Sequence, residues 1–178
     1  MKTVFPLAAT LFLALPLVTL ETPVQAQPAD SCGTKSGLCW PKLRRGQHGY
    51  QTKALQSLLT AQGMKLGADG VFGTSTSKAV LAFQKKRGLK TDGIAGWQTW
   101  EALVPSLGRG SKGASVVALQ RLLNGHDYQL RNDGVFGATT EKAVKGFQTD
   151  NSIDPANGRP TASVWCLLLG GDFDGEGG

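Results

Sequence analysis

The chain is short of the residues that most enzymes work with. Its 178 residues include two histidines, His48 and His126, and three cysteines, Cys32, Cys39 and Cys166. Neither histidine belongs to an HExxH or HxxxD spacing, so no metal-binding pair is expected. No serine occupies a GxSxG elbow, which removes the signature of an α/β-hydrolase nucleophile. No cysteine has a histidine near it in sequence, leaving a thiol nucleophile unsupported. Paired carboxylates for glycoside cleavage are hard to assemble, because Asp69, Asp92 and Glu101 are the only acids between Lys42 and Val104. In the tail, Asp172, Asp174 and Glu176 alternate like the start of a calcium loop but lack its terminal glutamate. The expectation is a chain with no catalytic residue, no metal and no cofactor.

Long apolar runs are also missing, except at the start. Lys2 precedes an apolar stretch from Val4 to Leu20, broken by Pro6 and Pro16, and Val24-Gln25-Ala26 places small residues at a cleavage site. That order predicts a signal peptide over residues 1–26, a secreted chain and no membrane association after cleavage. An oxidising compartment permits disulfides. Cys32 and Cys39 bracket a short loop, a Cys39–Cys166 bridge would tie the module's ends together, and a buried thiol at Cys166 is a third arrangement. The sequence leaves these open. Residues 27–41 read as an N-terminal segment and 170–178 as a disordered acidic Gly-rich tail.

Acids are outnumbered, 13 against 19 bases, for a net charge of +6. Ten bases and three acids lie between Lys42 and Val104, or +7, against seven and five between Pro105 and Leu169, or +2. Outside a cell such a surface favours envelope polymers or acidic substrates over nucleic acid.

What the chain does have is an internal copy. Shifted by 64 positions, Leu43–Thr91 falls on Leu107–Pro155 without a gap. Ala54-Leu55-Gln56 meets Ala118-Leu119-Gln120, DGVFG at Asp69–Gly73 meets DGVFG at Asp133–Gly137, and Phe83-Gln84 meets Phe147-Gln148. One extra residue then enters the second copy, and Trp100 and Leu103 meet Trp165 and Leu168. Apolar residues recur with helical spacing three times in each copy. Gly63, Gly88 and, in the second copy, Gly125 mark helix stops, and Thr161 an N-cap. The fold expected is all-α: two tandem three-helix repeats, 42–104 and 105–169. Each is near the lower size limit for its own core, so the two should pack together.

DGVFG then joins the first two helices of each copy. Its Asp can accept loop amide hydrogens, its first Gly tolerates positive φ, and Val and Phe are expected to turn inward. With ALQ, DGxFG, a following Thr, AV and FQ in this order twice, the sequence resembles the type 1 peptidoglycan-binding domain. The resemblance implies non-covalent attachment to peptidoglycan by a module that usually delivers a linked hydrolase or transpeptidase to the wall. With no catalytic constellation in the residues, a non-catalytic protein partnered by a secreted cell-wall hydrolase is expected. The second copy departs from the pattern at Asp154–Pro160, before its third helix. The ligand-binding candidates are Asp69, Thr76 and Gln84, their counterparts Asp133, Thr140 and Gln148, and Trp97, whose counterpart is the small Ala162. A monomer is expected. The alternative is an interaction or inhibitory module that docks on a secreted enzyme; the related prodomain fold of some zinc proteases uses a PRCG-type cysteine motif, absent from this sequence.

Overall fold

The computed structural model describes residues 40–170. The predicted signal peptide, Cys32, Cys39 and the acidic residues of the tail lie outside them. Six helices follow in order: α1 (Tyr50–Ala61), α2 (Thr74–Lys86), α3 (Trp97–Leu103), α4 (Ala114–Gly125), α5 (Ala138–Asp150) and α6 (Ala162–Leu168). Among the described residues extended pairing is limited to isolated antiparallel bridges, Leu43 with Ala95, His48 with Val71 and Lys112 with Val135. The all-α architecture expected from the duplication is the one found.

Helix α1 shows why the two copies share one core. Of its residues, Thr52 and then Ala54 to Leu59 without interruption are buried. One face of a helix cannot hold such a run, so a second partner must cover the other side. That partner is α4, whose contact with α1 is the most extensive between any two helices. Arg121 donates to the hydroxyl of Ser57 at 2.9 Å across this seam. Gln51 donates to the carbonyl of Leu169 at 2.7 Å. A single cluster of buried side chains runs from Trp40 to Leu169 through both copies.

The core begins before the first helix. Trp40 stacks on Trp100, with ring centroids 6.4 Å apart and planes 13° from parallel. The Trp100 indole N–H donates to the Pro41 carbonyl at 2.8 Å. Trp165, the counterpart of Trp100, is equally buried, yet its indole N–H has no hydrogen-bond partner among the described residues.

Helix ends follow the sequence with one correction. Gly63 and Gly88 take φ of +89° and +65° just past α1 and α2, as a helix stop requires. Gly125 does not do this; it is the last residue of α4. The left-handed positions of the second copy fall instead on Asp127 (φ 65°) and Ser152 (φ 55°), the 64-shifted partners of Gly63 and Gly88. Thr161 caps α6 by accepting from the Val164 N–H at 3.5 Å. No helix among the described residues is long and apolar enough to cross a membrane.

Candidate ligand-binding site

The site begins with a glutamine inside the first helix of each copy. Gln56 is 1% exposed and points at the DGVFG loop. Its side-chain amide donates to Asp69 Oδ1 at 2.6 Å, to the Val71 carbonyl at 3.1 Å and to Thr76 Oγ1 at 3.0 Å. Its oxygen accepts from the Gly70 N–H at 2.8 Å, while Asp69 Oδ1 also accepts from the Val71 N–H. Gly70, at φ 81°, lets the backbone bend into this grip. One buried side chain thus engages Asp69 Oδ1, the Gly70 N–H and the Val71 carbonyl together, so that breaking one of these bonds strands another group.

The same clamp recurs. Gln120 binds Asp133, Val135, Thr140 and Gly134 with the same atoms. It recurs again where the 64-residue shift does not reach, at the turn from α2 to α3. There Gln84 grips Asp92, Ile94, Thr99 and the Gly93 N–H. The fourth turn, between α5 and α6, keeps only part of it. Gln148 accepts from Gly158 and donates to the Arg159 carbonyl, but Asn157 replaces the aspartate and Val164 the threonine.

The predicted candidates therefore divide. Thr76, Gln84, Thr140 and Gln148 are buried and bound within the clamps. Asp69 and Asp133 are exposed, with one carboxylate oxygen committed to the turn. Trp97 opens α3, is partly buried and packs against the core. Val71 and Val135 do not turn inward as expected; they are 53% and 41% exposed, while Phe72 and Phe136 are fully buried. Alternation at the bend sends one neighbour to the core and the other to solvent.

Two cavities open over these turns. One, of about 340 Å³, lies at the α2–α3 turn and includes Leu89, Lys90, Ile94 and Trp97 in its wall. The other, about 230 Å³, lies at the α4–α5 turn with Leu130, Arg131 and Val135. Sequence reasoning missed Gln56, Gln120, Lys90 and Arg131 as parts of a site. For Lys90 and Arg131 the signal was present in the repeated string L-[KR]-x-D-G-[VI], which reads LKTDGI and LRNDGV.

The family model described as "Putative peptidoglycan binding domain" matches this sequence twice, over residues 48–103 and 112–168. The chain belongs to the peptidoglycan-binding domain family. It is 36% identical to the N-acetylmuramoyl-L-alanine amidase CwlL of Bacillus licheniformis over 85% of this chain and 51% of that protein. It is 33% identical to a probable N-acetylmuramoyl-L-alanine amidase of the same species, over 70% of this chain and 43% of that one. The chain thus spans about half the length of the curated relatives it matches. A crystal structure of a Clostridioides difficile peptidoglycan-binding protein with glutamine hydroxamate is 46% identical over 35% of this chain and 40% of that chain, with a TM-score of 0.35.

In this member of the family the clamps also bear on stability in acid. Asp69 is held below the ordinary 3.8 first by the Val71 N–H and then by Gln56. Asp133 is lowered first by Gln120 and then by the Val135 N–H. At Asp92 burial pushes upward most strongly, and the Ile94 N–H, Gln84 and Lys90 together outweigh it. A carboxylate whose folded pKa is depressed stabilises the fold fully above its unfolded value. That stabilisation is lost as pH falls through the folded value. Thermal midpoints should therefore fall below about pH 4. The combined variant Asp69→Asn, Asp92→Asn, Asp133→Asn keeps an accepting oxygen at each turn and should show a flatter profile. An unchanged slope in that variant would reject the clamps as its source.

Proposed function

We propose that this is a secreted, non-catalytic and monomeric protein that holds bacterial peptidoglycan through its two repeats, at or near the cell wall. Catalysis on the polymer belongs to a separate wall hydrolase. The observation that carries this reading is the Trp97 cavity, where an aromatic face, aliphatic walls and a base stand over a locked turn. Aromatic faces suit the C–H surfaces of sugars, and bases suit the carboxylates of stem peptides. A rigid turn spares the ordering cost that a flexible loop would add on binding. Trp97 touches the ligand directly in this reading, as does the second carboxylate oxygen of Asp133, while Asp69 fixes its own turn. Thr76, Gln84, Thr140 and Gln148 act by holding the turns in place.

The test is co-sedimentation of the purified protein with insoluble sacculi stripped of anionic polymers, at low and near-physiological salt. Specific recognition predicts pelleting that survives salt at which screening reaches about 8 Å. Trp97→Ala, with its helical spectrum intact, should weaken it several-fold, and no soluble muropeptides should appear. Binding that vanishes at moderate salt would reduce the interaction to the basic surface and favour docking on an enzyme instead. Release of muropeptides would overturn the non-catalytic reading.

A further inference from the structure

The two cavities are not related by the 64-residue duplication. They are related by matching the second turn of one copy to the first turn of the next, 41 positions on. Leu89, Lys90, Asp92, Ile94, Gly96 and Thr99 in one cavity coincide with Leu130, Arg131, Asp133, Val135, Gly137 and Thr140 in the other. One belongs to the second turn of copy one, the other to the first turn of copy two. The first turn of copy one lacks the base, having Gly67 where the others have Lys90 and Arg131. A base does approach it, but from α1: the stem of Lys53 lies across Gly70, where a Cβ would meet it at 2.9 Å. The last turn of copy two has lost both the aspartate and the threonine, as described above.

We infer that the chain is divalent through these two cradles, and that each takes the carboxy-terminal aliphatic residue of a peptide. This rests on the peptidoglycan-binding reading and specifies which part of the polymer is held. Each cradle offers an exposed base, an aspartate two residues on with a carboxylate reaching solvent, and an aliphatic wall. In the first, Lys90 Nζ lies 3.6 Å from Asp92 Oδ2, with Lys90 80% exposed. So exposed an ion pair contributes little by itself and yields readily to a ligand. A free carboxylate alone would meet the base and be repelled by the aspartate. A peptide terminus avoids this conflict, because its last amide N–H donates to the aspartate while its carboxylate meets the base. The side chain of that residue must be small and apolar, to lie on Ile94 and Leu89 or on Val135 and Leu130. Two cradles on one chain with a shared core also convert the second contact with a polymer into an intramolecular step.

The experiment uses the full chain, isotopically labelled, titrated with a soluble disaccharide-tetrapeptide ending in D-alanine. Amide shifts are expected at Gly93 and Ile94 and at Gly134 and Val135, with little change at Gly70 and Val71. Lys90→Ala should remove the first set and leave the second, and Arg131→Ala the reverse. Both residues are exposed, and the remaining set of shifts reports that the variant is folded. The same muropeptide amidated at its C-terminus should lose most of the response. On sacculi, either single variant should weaken binding by about 100-fold, the lower end of typical avidity gains. Paired shifts at Gly70 and Gly134 would show that the sites follow the duplication and would overturn the inference. So would shifts indifferent to the base variants or to amidation. Failure of the unaltered protein to pellet with sacculi would instead overturn the peptidoglycan reading itself.

Discussion

Gln56→Leu and Gln120→Leu should each destabilise the protein by about 2–4 kcal/mol, although neither residue is part of the hydrophobic core. Leucine fills nearly the same volume, so the loss is not a cavity effect. What is lost is the acceptor for a buried glycine N–H, Gly70 or Gly134, and the donor shared by an aspartate, a carbonyl and a threonine. A buried donor left without a partner costs about 1–3 kcal/mol, and the surrounding groups share the rest. Gln148→Leu should cost less, because its turn has already exchanged the aspartate for Asn157 and the threonine for Val164. Urea unfolding followed by tryptophan fluorescence measures the three differences. Hydrogen exchange adds a local readout: the Gly70 amide should exchange much faster in Gln56→Leu, while Gly134 keeps its protection. Equal losses at all three glutamines would mean that the clamp atoms do not determine the stability of the turns.

The difference between what could and could not be read in advance follows from the range of the interactions. The Asx turn at Asp69 and the positive φ at Gly70 are local, fixed by residues one or two positions apart, and the string DGVFG declares them. The helices declare themselves through the spacing of Leu55, Leu58 and Leu59 or of Ala79, Val80 and Phe83. The role of Gln56 is hidden because its partners lie 13 to 20 positions away and a polar residue on a buried face has no periodic signature. The kinship of the first and second turns is hidden for a related reason. DGIAGWQT and DGVFGTST share only Asp, two Gly and Thr, and those four are the clamp and the bend. Everything between them is free to change, so the turn over Trp97 did not read as a relative of DGVFG. The inward placement of Val71 failed because hydrophobicity alone cannot choose which of two adjacent apolar residues faces the core at a bend. Phe72 takes the buried place, and Val71 stays on the surface.

Trp100→Ala should cost about 3–5 kcal/mol, a large share of the roughly 5–15 kcal/mol that holds a typical domain together. Trp165→Ala should cost a similar amount by the same cavity argument, since both rings are fully buried. The phenylalanine variants should separate the pair. Trp100→Phe loses part of the ring and also the bond to the Pro41 carbonyl, leaving that carbonyl short of a donor. Trp165→Phe loses the same part of the ring but removes an indole N–H that has no partner among the described residues. Deleting an unpartnered buried donor recovers its desolvation cost, so Trp165→Phe should be milder by about 2 kcal/mol. The ordering depends on Trp40 and Pro41, which approach Trp100 from before the first helix and have Val104 and Pro105 as their counterparts before α4. Removing the Trp40 ring by Trp40→Ala should therefore weaken the first copy without changing the Trp165→Phe result. Equal losses for the two phenylalanine variants would show that the Trp165 N–H finds an acceptor in solution and that the two copies are closer in structure than their indoles suggest.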